Sequence, residues 1–261
     1  MKRIIPAVFL LMIIIPLFCG IGSAQSKAAG PAIDPQAEKI LQALNAQKKK
    51  DIKAGAEVID TMDEVLKSGE KIQYSHMRKL KISEPQQFWI ESTGDITNTT
   101  VWKDDKTFTL LDRSNNVYGQ VAAPGTIDET MDMMVEKYGV TTPLADLLSD
   151  NVYSILMKNV KTCRYLGIHY AEGMKCHHIA ATQNNIDWQI WVDAGDVPQL
   201  RKIVITYKQQ PGAPQYTAVL KSFNEVPQFP DGTFTFKAPE GARKISLLPI
   251  KKRVKKASEK E

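Results

Sequence analysis

The stretch Lys71-Ile72-Gln73-Tyr74-Ser75-His76-Met77-Arg78-Lys79-Leu80-Lys81-Ile82-Ser83 alternates without a break. Ile72, Tyr74, His76, Arg78, Leu80 and Ile82 fall on one face, and Gln73, Ser75, Met77, Lys79 and Lys81 on the other. A period of two with one apolar face is the signature of an antiparallel strand packed on a core from one side. Residues 56–67 repeat the pattern upstream, and Ser68-Gly69 supplies the turn between the two. Downstream, short strands are expected at 88–93, 99–103, 107–112 and 117–121, separated by Gly94-Asp95, Asp104-Asp105 and Ser114-Asn115-Asn116. The first half therefore predicts an antiparallel meander.

A helical insert follows. Thr126 with Glu129 forms a capping box, Ile127, Met131, Met134, Val135 and Tyr138 line one helical face, and Gly139 stops the helix. Thr142-Pro143 starts a second helix over 144–148, and 151–159 adds a third short piece. Strands resume at 163–171, 174–182, 187–193, 200–207, 216–224 and 233–237. Ahead of the first meander, Asp34 and Pro35 open a helix that runs to about Lys50. No linker separates the two strand runs, so the chain reads as one α+β domain over residues 34–245.

The N-terminus reads as an export signal over 1–24. Lys2-Arg3 precede an apolar run broken by Pro16, and Gly22-Ser23-Ala24 provide small residues ahead of Gln25. Residues 25–33 form a flexible leader, and 246–261 a basic disordered tail. The net charge is +5. The first 24 residues carry +2 and residues 251–261 carry +4, which leaves −1 for the body. A nearly neutral body excludes a phosphate-tracking groove, so no nucleic-acid partner is expected. The tail offers a peripheral contact with anionic headgroups.

The chain has no Gly-rich phosphate loop, GxSxG or HExxH pattern, and no catalytic residue or cofactor is assigned. If Ala171 pairs with Met174, Cys176 faces His169 and shares a face with His178. Those three side chains are the minor alternative of a metal-dependent enzyme, although no metal ligand set is complete. Cys163 lies six residues further along, too far from Cys176 for a bridge.

Several motifs together carry a resemblance. They are Ala122-Ala123-Pro124-Gly125-Thr126-Ile127-Asp128, Tyr138-Gly139-Val140, Pro143-Leu144-Ala145-Asp146-Leu147-Leu148, Tyr165-Leu166-Gly167, Cys176-His177-His178, Asp187-Trp188-Gln189-Ile190-Trp191 and Pro198 with Lys202-Ile203-Val204-Ile205-Thr206. From about residue 35 to 242 the chain resembles a family of predicted periplasmic proteins, domain of unknown function 2092. That family is grouped with the LolA/LolB-like lipoprotein carriers. The resemblance implies a curved antiparallel sheet forming an incomplete β-barrel, closed by a helical lid over an apolar cavity.

The residues agree with this expectation. One sheet has two faces, and a lid rich in methionine suits an irregular greasy ligand. The expected function is an exported, periplasmic or secreted, non-enzymatic carrier or sensor that binds a lipid or a lipoprotein acyl chain. Expected lining residues are Phe88, Ile90, Phe108, Leu110, Trp188, Ile190, Ile203 and Ile205 from the sheet, with Met131, Met134 and Leu147 from the lid. The alternative is an interaction module that meets an envelope protein partner through the sheet edge or the tail.

Overall fold

A computed structural model describes residues 32–47, 52–140 and 151–250. The export signal, most of the leader, Leu147 with the helix expected at 144–148, and the basic run 251–261 lie outside the described residues.

Two meanders make the structure. The first is β1 (Lys53–Val65), β2 (Lys71–Ser83), β3 (Gln87–Gly94), β4 (Asn98–Lys103), β5 (Thr107–Asp112) and β6 (Val117–Ala122). The second is β7 (Thr162–Ala171), β8 (Met174–Thr182), β9 (Ile186–Asp193), β10 (Leu200–Tyr207) and β11 (Gln215–Glu225), and a short β12 (Arg243–Ile245) follows. They join into one 12-stranded sheet of order β12-β6-β5-β4-β3-β2-β1-β11-β10-β9-β8-β7. The fold is α+β. The sheet is curved and does not close into a barrel, so β7 and β12 are its edges. Every pairing is antiparallel except that of β12 with β6. The seam is β1 with β11, where a bulge between Glu57 and Val58 sharpens the local twist.

Among the described residues three helices lie on one face, called the inner face below. α1 (Pro35–Ala46) is capped by Asp34, whose side chain accepts from Gln36 N–H at 2.8 Å. α2 (Ile127–Tyr138) carries the full capping box: Thr126 N–H donates to Glu129 Oε2 at 2.8 Å, and Glu129 N–H to Thr126 Oγ1 at 3.2 Å. Gly139 ends α2 at φ 68°, a left-handed turn that residues with a Cβ disfavour. α3 (Val152–Met157) docks on α1, with Tyr153 N–H donating to Asn45 Oδ1 at 3.0 Å and Tyr153 Oη to Glu38 Oε1 at 2.8 Å.

The helices divide the core. α1 and α3 cover the second meander, burying Ala37, Ile40, Leu41, Val152 and Leu156 against Cys163, Ile179, Trp188, Ile190 and Ile203. α2 covers the first, where Ile127 and Met134 meet Ile82, Phe88 and Phe108. The lid is therefore in two parts. The helical insert supplies α2 and α3, and the N-terminal helix α1 completes the cover over the second meander.

Three local expectations need correction. Residues 233–237 form turns rather than a strand: Thr233 N–H donates to Pro230 O at 3.2 Å and Thr235 N–H to Gly232 O at 3.1 Å, so the turn takes the donors a ladder would use. Phe236 nonetheless packs on Trp102 and Tyr118. The leader's last residues belong to the body, because Cys163 N–H donates to Ala32 O at 2.8 Å and Asp34 N–H to Cys163 O at 2.9 Å. The domain also runs past 245. Leu247 lies against Gly119, which has no side chain to displace it, and Ile250 N–H donates to Lys137 O at 2.9 Å.

Candidate functional site

The inner face is read row by row across the ladder. Ala54, Ala56 and Val58 of β1 stand beside Ile82, Leu80 and Arg78 of β2. Across the seam Val58 faces Leu220 and Asp60 faces Ala218, and Ala218 in turn faces Ile203. Alanine at 54, 56 and 218 leaves room that larger side chains would fill. Between the two helical covers these positions bound a cavity of about 460 Å³. Its walls include Leu44 of α1, Ala56, Val58, Leu80, Ile203 and Leu220, and polar side chains of Gln47, Glu84, Gln199 and Arg201 join the lining. Arg201 is already held, its Nη2 2.6 Å and its Nε 3.0 Å from Asp193 Oδ2. The Gly195 N–H, with Arg201, keeps the Asp193 carboxyl below its ordinary range.

A smaller cavity of about 170 Å³ lies under α2. Phe88, Ile90, Phe108, Leu110, Met131 and Met134 line it, all of them expected lining residues. Leu247 and Leu248 from the C-terminal segment close it, which the sequence reading missed. Ile203 is the expected residue that reaches the larger cavity. Trp188 and Ile190 line neither: they are 2% and 0% exposed in the core under α1 and α3, and Ile205 packs at that core's margin. Their periodicity was correct for the inner face, but α1 fills the space over them. The signal for the larger cavity was the set of alanines at 54, 56 and 218, opposite Ile82, Leu80 and Ile203, which a search for large apolar residues passes over.

One buried lysine pins the α2 cover to the sheet. Lys103 is 0% exposed, and its Nζ donates to the carbonyls of Gln86 (3.1 Å), Asp104 (2.5 Å) and Gly125 (3.2 Å). Burial pulls this ammonium below its ordinary value, against the attraction of Asp104, Asp105 and Glu129.

His169 and His178 of the hairpin β7–β8 sit on the outer face, whereas His177 points the other way, its Nδ1 3.0 Å from Tyr165 Oη. The register is the expected one near the turn, with Ala171 opposite Met174 and His169 opposite Cys176, and a bulge follows between Tyr165 and Gly167. His169 Nδ1 lies 2.8 Å from His178 Nδ1, and His178 Nε2 lies 3.0 Å from Gln189 Oε1. The His178 ring stacks on Trp191 at 4.0 Å, and burial, with His169 and Lys202, pulls its imidazole below the ordinary value. Cys176 Sγ points to Met174 O at 3.5 Å instead of joining the imidazoles. Among the described residues no three His, Cys, Asp or Glu side chains converge as a metal site. Cys163 and Cys176 are free, buried thiols.

The described residues thus form an open, mostly antiparallel sheet with helices on one face and an apolar hollow on that face. The chain belongs to the family described as predicted periplasmic protein (DUF2092), whose model matches residues 37–248. No curated protein matches it in sequence. Among solved structures it is similar to an uncharacterized conserved protein from Thermus thermophilus (9% identity, 81% of this chain and 99% of that one, TM-score 0.47). LprF from Mycobacterium bovis is similar at 14% identity, over 76% of this chain and 97% of that one, with TM-score 0.47. A LolA superfamily protein from Nitrosomonas europaea is similar at 9% identity, over 77% of this chain and 97% of that one, with TM-score 0.34. No helix among the described residues is long and apolar enough to cross a membrane.

Proposed function

We propose that the protein is an exported, non-enzymatic carrier or sensor that holds a lipid or a lipoprotein acyl chain between β1, β2, β10 and β11. The observation that carries this reading is the cavity of about 460 Å³ with its alanine, valine and leucine walls. That volume lies within the ~300–1,000 Å³ of sites that engulf small ligands. About ten buried methylenes at ~0.8 kcal/mol each give ~8 kcal/mol, enough for micromolar affinity with no charged anchor. Lipid extraction of the purified protein followed by mass spectrometry tests it. A co-purifying or added acyl chain bound in stoichiometric amount supports the reading, and protein that binds none in either form ends it.

A second reading is favoured by β7. Leu166, Ile168 and Tyr170 are 43%, 45% and 63% exposed on this edge strand. Among the described residues the outer side of β7 is bridged only at Cys163, by Ile33. An apolar edge of this kind suits strand addition by an envelope protein partner. Capture from envelope extract that is lost in Ile168→Lys supports a docking role alongside the carrier role, and capture unchanged by that substitution removes the edge from consideration.

A further inference from the structure

The inner rows of β1 and β2 continue past the apolar cavity into a second hollow of different chemistry. Asp60 is 1% exposed, and its carboxylate accepts from Arg78 Nε at 2.5 Å and Nη2 at 3.1 Å and meets His76 Nδ1 at 3.2 Å. A carboxylate held by a guanidinium is an acceptor only, so in the neutral ring the proton sits on Nδ1 and Nε2 keeps its lone pair. Gly94 faces His76 across the ladder, and a Cβ there would stand 2.7 Å from the ring. This position accommodates the imidazole against the end of β3.

His76 is 8% exposed, and among the described residues no hydrogen-bond partner meets its Nε2. That nitrogen is open to the cavity rather than sealed in the protein. The ring lines a cavity of about 400 Å³ together with Met62, Tyr74, Ile96, Pro211 and Pro214. The same lining includes Asp63 and Glu64 and no lysine or arginine. Asp63 is committed to Gln73 Nε2 and Gln215 N–H, each at 3.1 Å.

We propose that this cavity binds a primary amine carried on an apolar body, with the ammonium donating to His76 Nε2. The wall offers acceptors and negative charge, which favour a cationic donor and repel a carboxylate or phosphate. An alcohol matches the donor but not the charge. The Met62, Ile96, Pro211 and Pro214 side chains cover the apolar body, and the Tyr74 ring adds a face that attracts cations. The site stands apart from the acyl-chain cavity, because Asp60 and Arg78 separate Met62 from Val58 along the sheet. It does not depend on the carrier reading.

The test is a titration of the full chain, labelled with ¹⁵N-histidine, with decylamine, decanol and decanoate, following the Nε2 resonance of His76. The expected result is a saturable shift with decylamine, half-complete at a concentration at least tenfold lower than with decanol, and no shift with decanoate. Ile96→Trp fills the cavity from a residue that is 64% exposed, so the fold is retained, and it raises the decylamine midpoint at least tenfold. Absence of a saturable shift with decylamine, equal midpoints for decanol, or a midpoint unmoved by Ile96→Trp overturns the proposal.

Discussion

Lys103 reaches from the end of β4 to the carbonyl of Gly125, 3.2 Å away, and so ties the sheet to the residue that precedes the cap of α2. Gly125 has φ 98°, and a side chain there would collide with the Glu129 carboxylate of the capping box. A buried cation on three carbonyls and a glycine in the left-handed region thus fix where the cover over the first meander begins.

Lys103→Met leaves those carbonyls without their donor and lowers stability by about 3 kcal/mol, measured by denaturant unfolding. The folded pKa of Lys103 lies below the ordinary 10.5, so the folded state sheds the proton first. Stability from this group therefore rises with pH between its folded value and 10.5. The gap between wild type and variant widens as pH is raised from neutral through that window.

Ala56→Trp places an indole in the larger cavity from the middle of its floor. Because the space is empty, the fold is retained, with a stability change within about 2 kcal/mol. Acyl-chain binding, read by displacement of a fluorescent fatty acid, weakens at least tenfold.

Asp60→Asn removes the charge that Arg78 and His76 share. Burial pulls the Arg78 guanidinium down, but its hydrogen bonds to Asp60 and the attraction of that carboxylate outweigh burial and hold it above its ordinary value. Leaving that cation unpaired costs about 3–5 kcal/mol. The combined variant Asp60→Asn with Arg78→Met recovers part of the loss, and the double-mutant cycle measures how much.

Truncation after Ile250 keeps every described residue of the C-terminal segment and serves as the reference chain. Truncation after Ile245 removes Leu247 and Leu248 from the cavity under α2 and the Ile250 bond to Lys137, and destabilises by about 2–4 kcal/mol. Thermal melting of the two truncated chains measures the difference.

Cys163 is fully buried, and burial pushes its thiol up from 9.0 to about 11. A raised acid stabilises the fold fully below the unfolded value, and that contribution is lost as pH rises from 9.0 to about 11. Thiol reagents at neutral pH are expected to react slowly with the native chain and fully after denaturation.

The strands were legible because a half-buried strand writes its environment into alternate residues. The 71–83 pattern, the capping box at Thr126 and Glu129, and the turn between Ala171 and Met174 each encode a local conformation that neighbours within a few residues settle. The strand at 233–237 was misread for the same reason: Phe234 and Phe236 alternate, but the Pro230-Asp231-Gly232 turn takes the backbone donors, and the rings pack without a ladder.

The amino-acid sequence by itself determined the two antiparallel strand runs, the helices and the alternating apolar faces, and the family resemblance implied the open sheet under a helical cover. Only the tertiary structure decided which part of the inner face stays empty. Trp188 and Ala56 obey the same alternation, but α1 lies over the tryptophan, whereas the alanines at the seam leave space between two covers. Whether a surface becomes core or cavity depends on what a distant segment lays across it, and periodicity along one strand carries no record of that.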